Sequence, residues 1–321
     1  MHHTPDAYQD IRDAVRALCA EFPDEYHRKI DEQRAYPEAF VDALTKAGWM
    51  AALIPQTYGG SGLSMAEASV IMEEINRSGG NSGACHGQMY VMNAIVRSGT
   101  EAQKERYLPR IAAGEMRIQS MGVTEPTTGS DTTKLKTQAV KKDGRWVING
   151  QKVWISRVQH SDMMILLART TPLAEVQKKS DGLSCFLVDL KQAVGNGLTV
   201  RPIPNMVNHE TNELFFDNLE IPANSLIGEE GKGFRYILDG LNAEHAATDG
   251  DGPYPGREHV MRQIRGLGRL EDDHQRTGVG NHGRDKAGDH GGEREVFHQS
   301  FHVASQDRPG DPWRTPGSLL L

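Results

Sequence analysis

The chain has 321 residues and a formal net charge of −7. That length holds about one to three domains and a sizeable core. The acidic balance excludes nucleic acid as the main partner, because phosphate contact needs a basic footprint.

In chain order, Tyr8, Ile11, Val15, Leu18 and Phe22 recur at spacings of three and four, which predicts one face of a helix. Pro37 opens a second helix at its first turn, with Phe40, Leu44 and Ala47 inward and Gly48 as its stop. Residues 54–63 form a glycine-rich loop without the GK[ST] of a phosphate cradle. Ser64 and Glu67 have the spacing of a capping box, and Met65, Ala68, Met72 and Ile75 follow as a buried stripe. A further helix is expected over residues 89–96, with His86 as a structural neighbour. Another starts at Thr100, with Gln103 completing a second capping box, and is expected to end near Leu108, where Pro109 interrupts it. Residues 1–116 therefore read as an N-terminal helical domain.

The period then changes. Segments near residues 117–123, 135–141, 145–148, 153–158, 163–170, 183–190, 198–203 and 213–221 read as strands, with Asp143-Gly144 and Asn149-Gly150 as turns. Closely spaced strands of this kind predict a middle antiparallel β-sandwich or barrel domain over residues 117–228. Residues 171–181 form a polar, exposed loop. No βαβ unit or dinucleotide fingerprint is present, which argues against a Rossmann nicotinamide enzyme. A helix follows Gly233, with Phe234, Ile237, Leu238 and Leu241 as its apolar stripe and Glu244 at the stripe's edge. Residues 229–245 are thus the start of a C-terminal helical domain. Beyond them the pattern fails: residues 245–321 hold seven of the thirteen histidines, without metal-ligand spacing, and have no sustained period. Such low apolar content does not offset ordering entropy, so 246–321 are expected to be an aberrant or disordered tail.

Three cysteines, Cys19, Cys85 and Cys185, stand far apart without a CxxC pair, which fits free buried thiols. No run approaches the ~18 apolar residues of a membrane span. The N-terminal segment lacks secretory or transit character, so the expected location is cytoplasmic.

Two stretches carry chemistry. Residues 121–131, MGVTEPTTGSD, run from a strand end into a loop of hydroxyls around Gly129, the composition of a peptide that donates hydrogen bonds at close range. Asn149-Gly150, between apolar runs, predicts a hairpin leading to Trp154-Ile155-Ser156. Strand alternation then places Lys152, Trp154 and Ser156 on one face and Val153 and Ile155 on the other. An indole and a hydroxyl pointing the same way suit a planar cofactor with polar edges.

At these residues the chain resembles the acyl-CoA dehydrogenase family of flavoproteins. Gly122-Val123-Thr124-Glu125-Pro126, Gly129-Ser130-Asp131 and Asn149-Gly150-Gln151-Lys152-Val153-Trp154-Ile155-Ser156 match its motifs in order and spacing. Thr128 and Lys134 depart from the small residues usual there. Phe215 to Pro222 and Gly228 to Phe234 are also similar, so the resemblance covers about residues 5–244.

The resemblance implies FAD, with Met121, Gly122, Val123 and Thr124 at the ring edge. Trp154 would cover one ring face, with Ile155 and Ser156 beside it and the Ser156 hydroxyl toward flavin N5. Ser130 would face the pyrophosphate or the CoA arm. The implied reaction removes a proton and a hydride from neighbouring carbons of an acyl-CoA thioester, as in fatty acid metabolism. The implied base is Glu244, within Asn242-Ala243-Glu244-His245, which stands where part of the family has Asp-x-Glu-Arg; Asn242 and Glu244 would then meet substrate. An electron-transfer acceptor protein is the implied partner, and a homodimer or homotetramer the implied assembly. The family continues with long helices that close the site, so the C-terminal domain here is expected to be incomplete through truncation or an altered frame, and the activity impaired. A flavin-dependent oxidase or monooxygenase on the same fold, or a non-catalytic truncated product, are the alternatives.

Overall fold

The computed structural model describes residues 8–241, with side chains to Leu238. The expectations for Asn242, Glu244 and residues 246–321 lie outside the described residues. Six helices come first: α1 (Gln9–Cys19), α2 (Asp24–Glu32), α3 (Glu38–Lys46), α4 (Met65–Arg77), α5 (Gly83–Ser98) and α6 (Glu101–Ala112). Both capping boxes form. Ser64 accepts from the Glu67 amide at the head of α4, and Thr100 accepts from the Gln103 amide at the head of α6. The Gln103 side chain also reaches across to the carbonyls of Asn224 and Leu226, each at 2.9 Å.

Three helical expectations change. α6 does not end before Pro109 but runs through it to Ala112. A proline inside a helix removes one backbone bond and crowds the preceding turn, yet Leu108 and Ile111, both fully buried, hold that last turn in the core. Ala47 is exposed as the C-cap of α3, and the chain leaves the helix through Gly48 at φ 80°. α5 starts six residues before Met89, at Gly83. Glycines at 83 and 87 lower intrinsic helicity and hid this turn from the sequence. α2 buries no residue, so it had no apolar stripe to show.

The strands are β1 (Ser120–Gly122), β2 (Gln138–Lys142), β3 (Arg145–Ser156), β4 (Met163–Arg169), β5 (Leu183–Asp189), β6 (Leu198–Pro202), β7 (Thr211–Pro222) and β8 (Leu226–Ile227). A short helix α7 (Leu190–Ala193) follows β5, and α8 (Gly233–Leu241) closes the described chain. The sheet order is β6-β7-β3-β2-β4-β5-β8, with β1 added on β4. Pairings are antiparallel except β1–β4 and β2–β4. Asp143 and Gly144, at φ 49° and 74°, make the tight turn between β2 and β3.

Asn149-Gly150 is not a hairpin turn. β3 passes through it as one strand, because both of its halves pair with β7. A register shift between Ile148 and Gly150 absorbs one extra residue of β7, and Asn149 and Asn218 exchange hydrogen bonds across it. Gly150 is needed for close approach, since a Cβ there would lie 2.6 Å from Thr137.

β4 and β5 divide the interior. Met163, Ile165, Leu167, Cys185 and Leu187 face one core shared with the helices. Met164, Leu166, Phe186 and Val188 face a second core with β2, β3, β6 and β7. Trp146 of β3 meets Phe186 of β5 edge to face at 5.1 Å, so the sheet curls until non-neighbouring strands touch across its interior. Among the described residues no helix is long and apolar enough to cross a membrane.

Candidate functional site

β1 ends at Gly122, where the stem of Lys152 and the side chains of Leu166 and Met164 crowd the space a Cβ would take. The chain then turns over itself. Glu125 and Thr128 exchange two backbone hydrogen bonds, at 3.2 and 3.1 Å, leaving Pro126 and Thr127 exposed at the tip. The Glu125 side chain points inward. It accepts from the amides of Lys136 at 2.6 Å and Thr137 at 2.9 Å, and from Lys152 Nζ at 2.9 Å. Lys152 Nζ also donates to the Val123 carbonyl at 2.9 Å. The Lys152 side chain is 0% exposed and that of Glu125 4%.

Burial penalises both charges. For Glu125 burial pushes the carboxyl up, but Lys152 and the donors of Lys136 and Thr137 outweigh it and hold it below its ordinary value. For Lys152 burial wins over the attraction of Glu125 and pushes the ammonium down to about 8. As motif positions the two residues gave no sign in the sequence of being one buried pair. The signal available was a lysine in phase with the inward-facing Trp146 and Ile148 on an alternating strand.

The loop is tied to β3 a second time, by the Val153 amide donating to the Thr124 carbonyl at 3.0 Å. Here the predicted facing of side chains is corrected. The register against β7 jumps between Lys152 and Ile155, and Trp154 adopts φ 61°. This is a β-bulge, in which an extra residue resets which side faces in. Lys152 and Ile155 therefore both point inward, whereas simple alternation had put them on opposite faces. Trp154 is thrown outward and stands 59% exposed. Ser156 is half-buried and pairs with Thr211.

The remaining predicted residues fall around this bulge. Met121, Val123 and Thr124 are half-buried and Ser130 is exposed. Ile155 buries its side chain in the β core, leaving only its backbone for a ligand. Thr128 Oγ1 is buried without a hydrogen-bond partner among the described residues, and a Cβ on Gly129 would meet nothing within 4 Å. An exposed indole, open space at Gly129 and hydroxyls at 124, 130 and 156 fit a flat cofactor with a polar edge.

One residue beyond Ser156 the chain turns through Arg157 at φ 60°, and the guanidinium enters the helical side under α5. The sequence reading passed over it. A separate cleft of about 560 Å³ is lined by Glu38, Arg117, His160, Asp162, Lys191 and Val194 among others. None of the predicted cofactor residues lines it. Its charges satisfy one another, Arg117 with Glu38 and Asp42, and Lys191 with Asp162.

Comparison with known proteins agrees with this geometry. Residues 5–115 match the family described as acyl-CoA dehydrogenase, N-terminal domain, and residues 120–219 its middle domain. A cyclohex-1-ene-1-carbonyl-CoA dehydrogenase of Syntrophus aciditrophicus (strain SB) is 34% identical over 221 residues, covering 67% of this chain and 51% of that protein. The mitochondrial isovaleryl-CoA dehydrogenase of Pongo abelii is 33% identical over 248 residues, covering 75% of this chain and 57% of that protein. The chain thus spans little more than half the length of these relatives. Among solved structures, an acyl-CoA dehydrogenase from Geobacillus kaustophilus superposes with a TM-score of 0.68 at 29% identity, covering 76% of this chain and 63% of that one.

Proposed function

The chain belongs to the acyl-CoA dehydrogenase family, carrying its N-terminal and middle domains, and from that premise we propose that it acts in FAD-dependent oxidation of an acyl-CoA thioester, forming a double bond between the carbons α and β to the carbonyl. The observation that carries this reading is the locked junction of loop and bulge. Lys152 and the Val153 amide hold the carbonyls of Val123 and Thr124 beside an outward-facing Trp154.

In this reading Trp154 covers one face of the isoalloxazine, and Met121, Gly122, Val123 and Thr124 meet its edge. Ile155 contributes its backbone, and the Ser156 hydroxyl is offered to N5. Ser130 reaches the pyrophosphate or the CoA arm. Bound flavin supplies the hydride acceptor. The protein's part is to orient the thioester, exclude water and remove the α-proton. That proton is weakly acidic, so a carboxylate raised by burial suits the task. Glu244 is proposed for it on its place in the chain just after α8, with Asn242 beside it at the substrate. The acceptor of the electrons is proposed to be an electron-transfer protein.

The test has two stages. The purified chain is incubated with FAD, desalted and read by flavin absorbance per protein; Trp154→Ala should retain less. Dye-coupled oxidation of a panel of acyl-CoA thioesters then reads activity, which Glu244→Gln should abolish. A chain that retains no flavin would defeat the reading at its first step. Undiminished turnover by Glu244→Gln would remove that residue from the role.

A further inference from the structure

Arg157 is 9% exposed, and its guanidinium has no hydrogen bond or ion pair among the described residues. This is unlike the buried cation of β3 described above. The nitrogens of Arg157 keep some contact with solvent while most of the residue is buried, so the guanidinium is shielded yet reachable by a ligand. Its amide donates to the Glu210 carbonyl at 2.9 Å, but no ion pair joins it to the Glu210 carboxylate.

The surroundings are shaped for the guanidinium. A Cβ on Gly83 would fall 2.4 Å from Nη2, and one on Gly87 would fall 3.3 Å from Nη1. The absence of side chains at both positions opens the nook. The same place is the N-terminus of α5, where Ser82 provides no side-chain cap, Asn81 Oδ1 accepts from the Gly83 amide at 2.7 Å and no acidic residue lies in the first turn. The helix end and the guanidinium are two positive features that form no ion pair with a carboxylate among the described residues. Around them stand aromatic rings. His86 and Tyr90 lie with ring centroids 4.8 Å apart, and Tyr36 stacks on His160 at 4.1 Å. Desolvation and then the charge of Arg157 hold the His86 imidazole below its ordinary value. His86 is exposed and Tyr90 half-buried, so a ligand meets these rings first.

We propose that Arg157 and the N-terminus of α5 form an anion site that takes the distal carboxylate of a short acyl thioester. The inference rests on the acyl-CoA reading above and names a substrate class within it. Arg157 follows Trp154 by three residues, so their Cα atoms lie within about 11 Å of each other, a separation that one acyl-CoA molecule can span. A planar carboxylate matches the fork of a guanidinium with two parallel hydrogen bonds. An acyl group ending in a methyl leaves that fork unpaired, which is the basis of discrimination.

The experiment is calorimetric titration of the purified full chain, in the presence of FAD, with succinyl-, glutaryl- and adipyl-CoA. Each is compared with the monocarboxylic acyl-CoA of the same length. At least one dicarboxylic thioester should bind roughly tenfold to a hundredfold more tightly than its partner, the size expected for a hydrogen-bonded charge pair. Arg157→Gln should abolish that preference without weakening the monocarboxylic thioester, and Arg157→Lys should keep part of it. Gly83→Ala should mimic Arg157→Gln by displacing the guanidinium. Equal binding of both classes, or a preference that survives Arg157→Gln, overturns the proposal and leaves the acyl-CoA reading standing. Equal binding with a large drop in the melting temperature of Arg157→Gln assigns the arginine to a contact within the chain. Failure of every thioester to bind removes the acyl-CoA reading, and the proposal with it.

Discussion

Lys152 within β3 and Arg157 just past its end are both largely buried cations, and they are handled in opposite ways. Lys152 is sealed from solvent against Glu125 and a carbonyl, so its charge locks the loop of residues 121–131 to the sheet. Arg157, five residues on, is nearly as buried and has no partner among the described residues. A paired buried charge fixes a geometry, whereas an unpaired one keeps a binding energy in reserve. Lys152 thus fixes the shape of the loop, and Arg157 is the cation proposed to meet a ligand.

The largest expected effect breaks the paired end. Lys152→Met leaves the Glu125 carboxylate buried with no cation and should cost about 3–5 kcal/mol. A urea unfolding midpoint would fall at unchanged slope. Replacing both partners, Lys152→Met with Glu125→Gln, should recover much of this, because the stranded charge is gone. A single-variant loss below about 1 kcal/mol would break the comparison, since a pair so weak could not fix the loop.

Acid tests the same pair from the other side. The folded Glu125 carboxyl lies below its ordinary value of 4.5. A depressed carboxyl stabilises the fold above its unfolded value, and that contribution is lost as pH falls through the folded one. The stability advantage of the wild type over Glu125→Gln should therefore shrink as pH drops below 4.5, read by thermal melting across pH. An advantage constant into strong acid would contradict the sign worked out here.

The capping boxes supply a yardstick of intermediate size. Ser64→Ala and Thr100→Ala should each cost about 1 kcal/mol in denaturant melts. Lys152→Met must exceed both if its pair is truly desolvated. At the unpaired end, Arg157→Gln should change the melting temperature little or raise it, because it removes a charge that no partner compensates among the described residues. The smallest effect belongs to Trp154→Ala. With 59% of the indole exposed, stability should stay within about 0.5 kcal/mol. Any change in flavin retention then reports on the site rather than on folding.

Local chemistry was legible in the sequence. Ser64 with Glu67, and Thr100 with Gln103, are capping boxes because a side chain three residues on reaches its own helix end, whatever lies outside. Asp143-Gly144 turns because both residues tolerate positive φ. Asn149-Gly150 carries an equally strong turn signal and does not turn, because β7 lies alongside both halves of β3 and pairing them continuously satisfies more backbone than a hairpin would. The helix through Pro109 is the same lesson in the helical part, where Leu108 and Ile111 in the core outweigh a local breaker.

What the sequence by itself determined was the order of the helical and β domains and which residues make up the candidate site: the hydroxyl loop, the indole and the serine after it. Those follow from residue identity and short-range geometry. Which way the residues face was decided by tertiary structure. The bulge at Val153-Trp154 arises only against β7, and it turns Trp154 out while Lys152 and Ile155 both go in. The partners of Lys152 and the surroundings of Arg157 are likewise set by elements distant in sequence, Glu125 for one and the glycine-lined head of α5 for the other. A charge's meaning depends on what shares its low-dielectric surroundings, and no window along the chain contains that information.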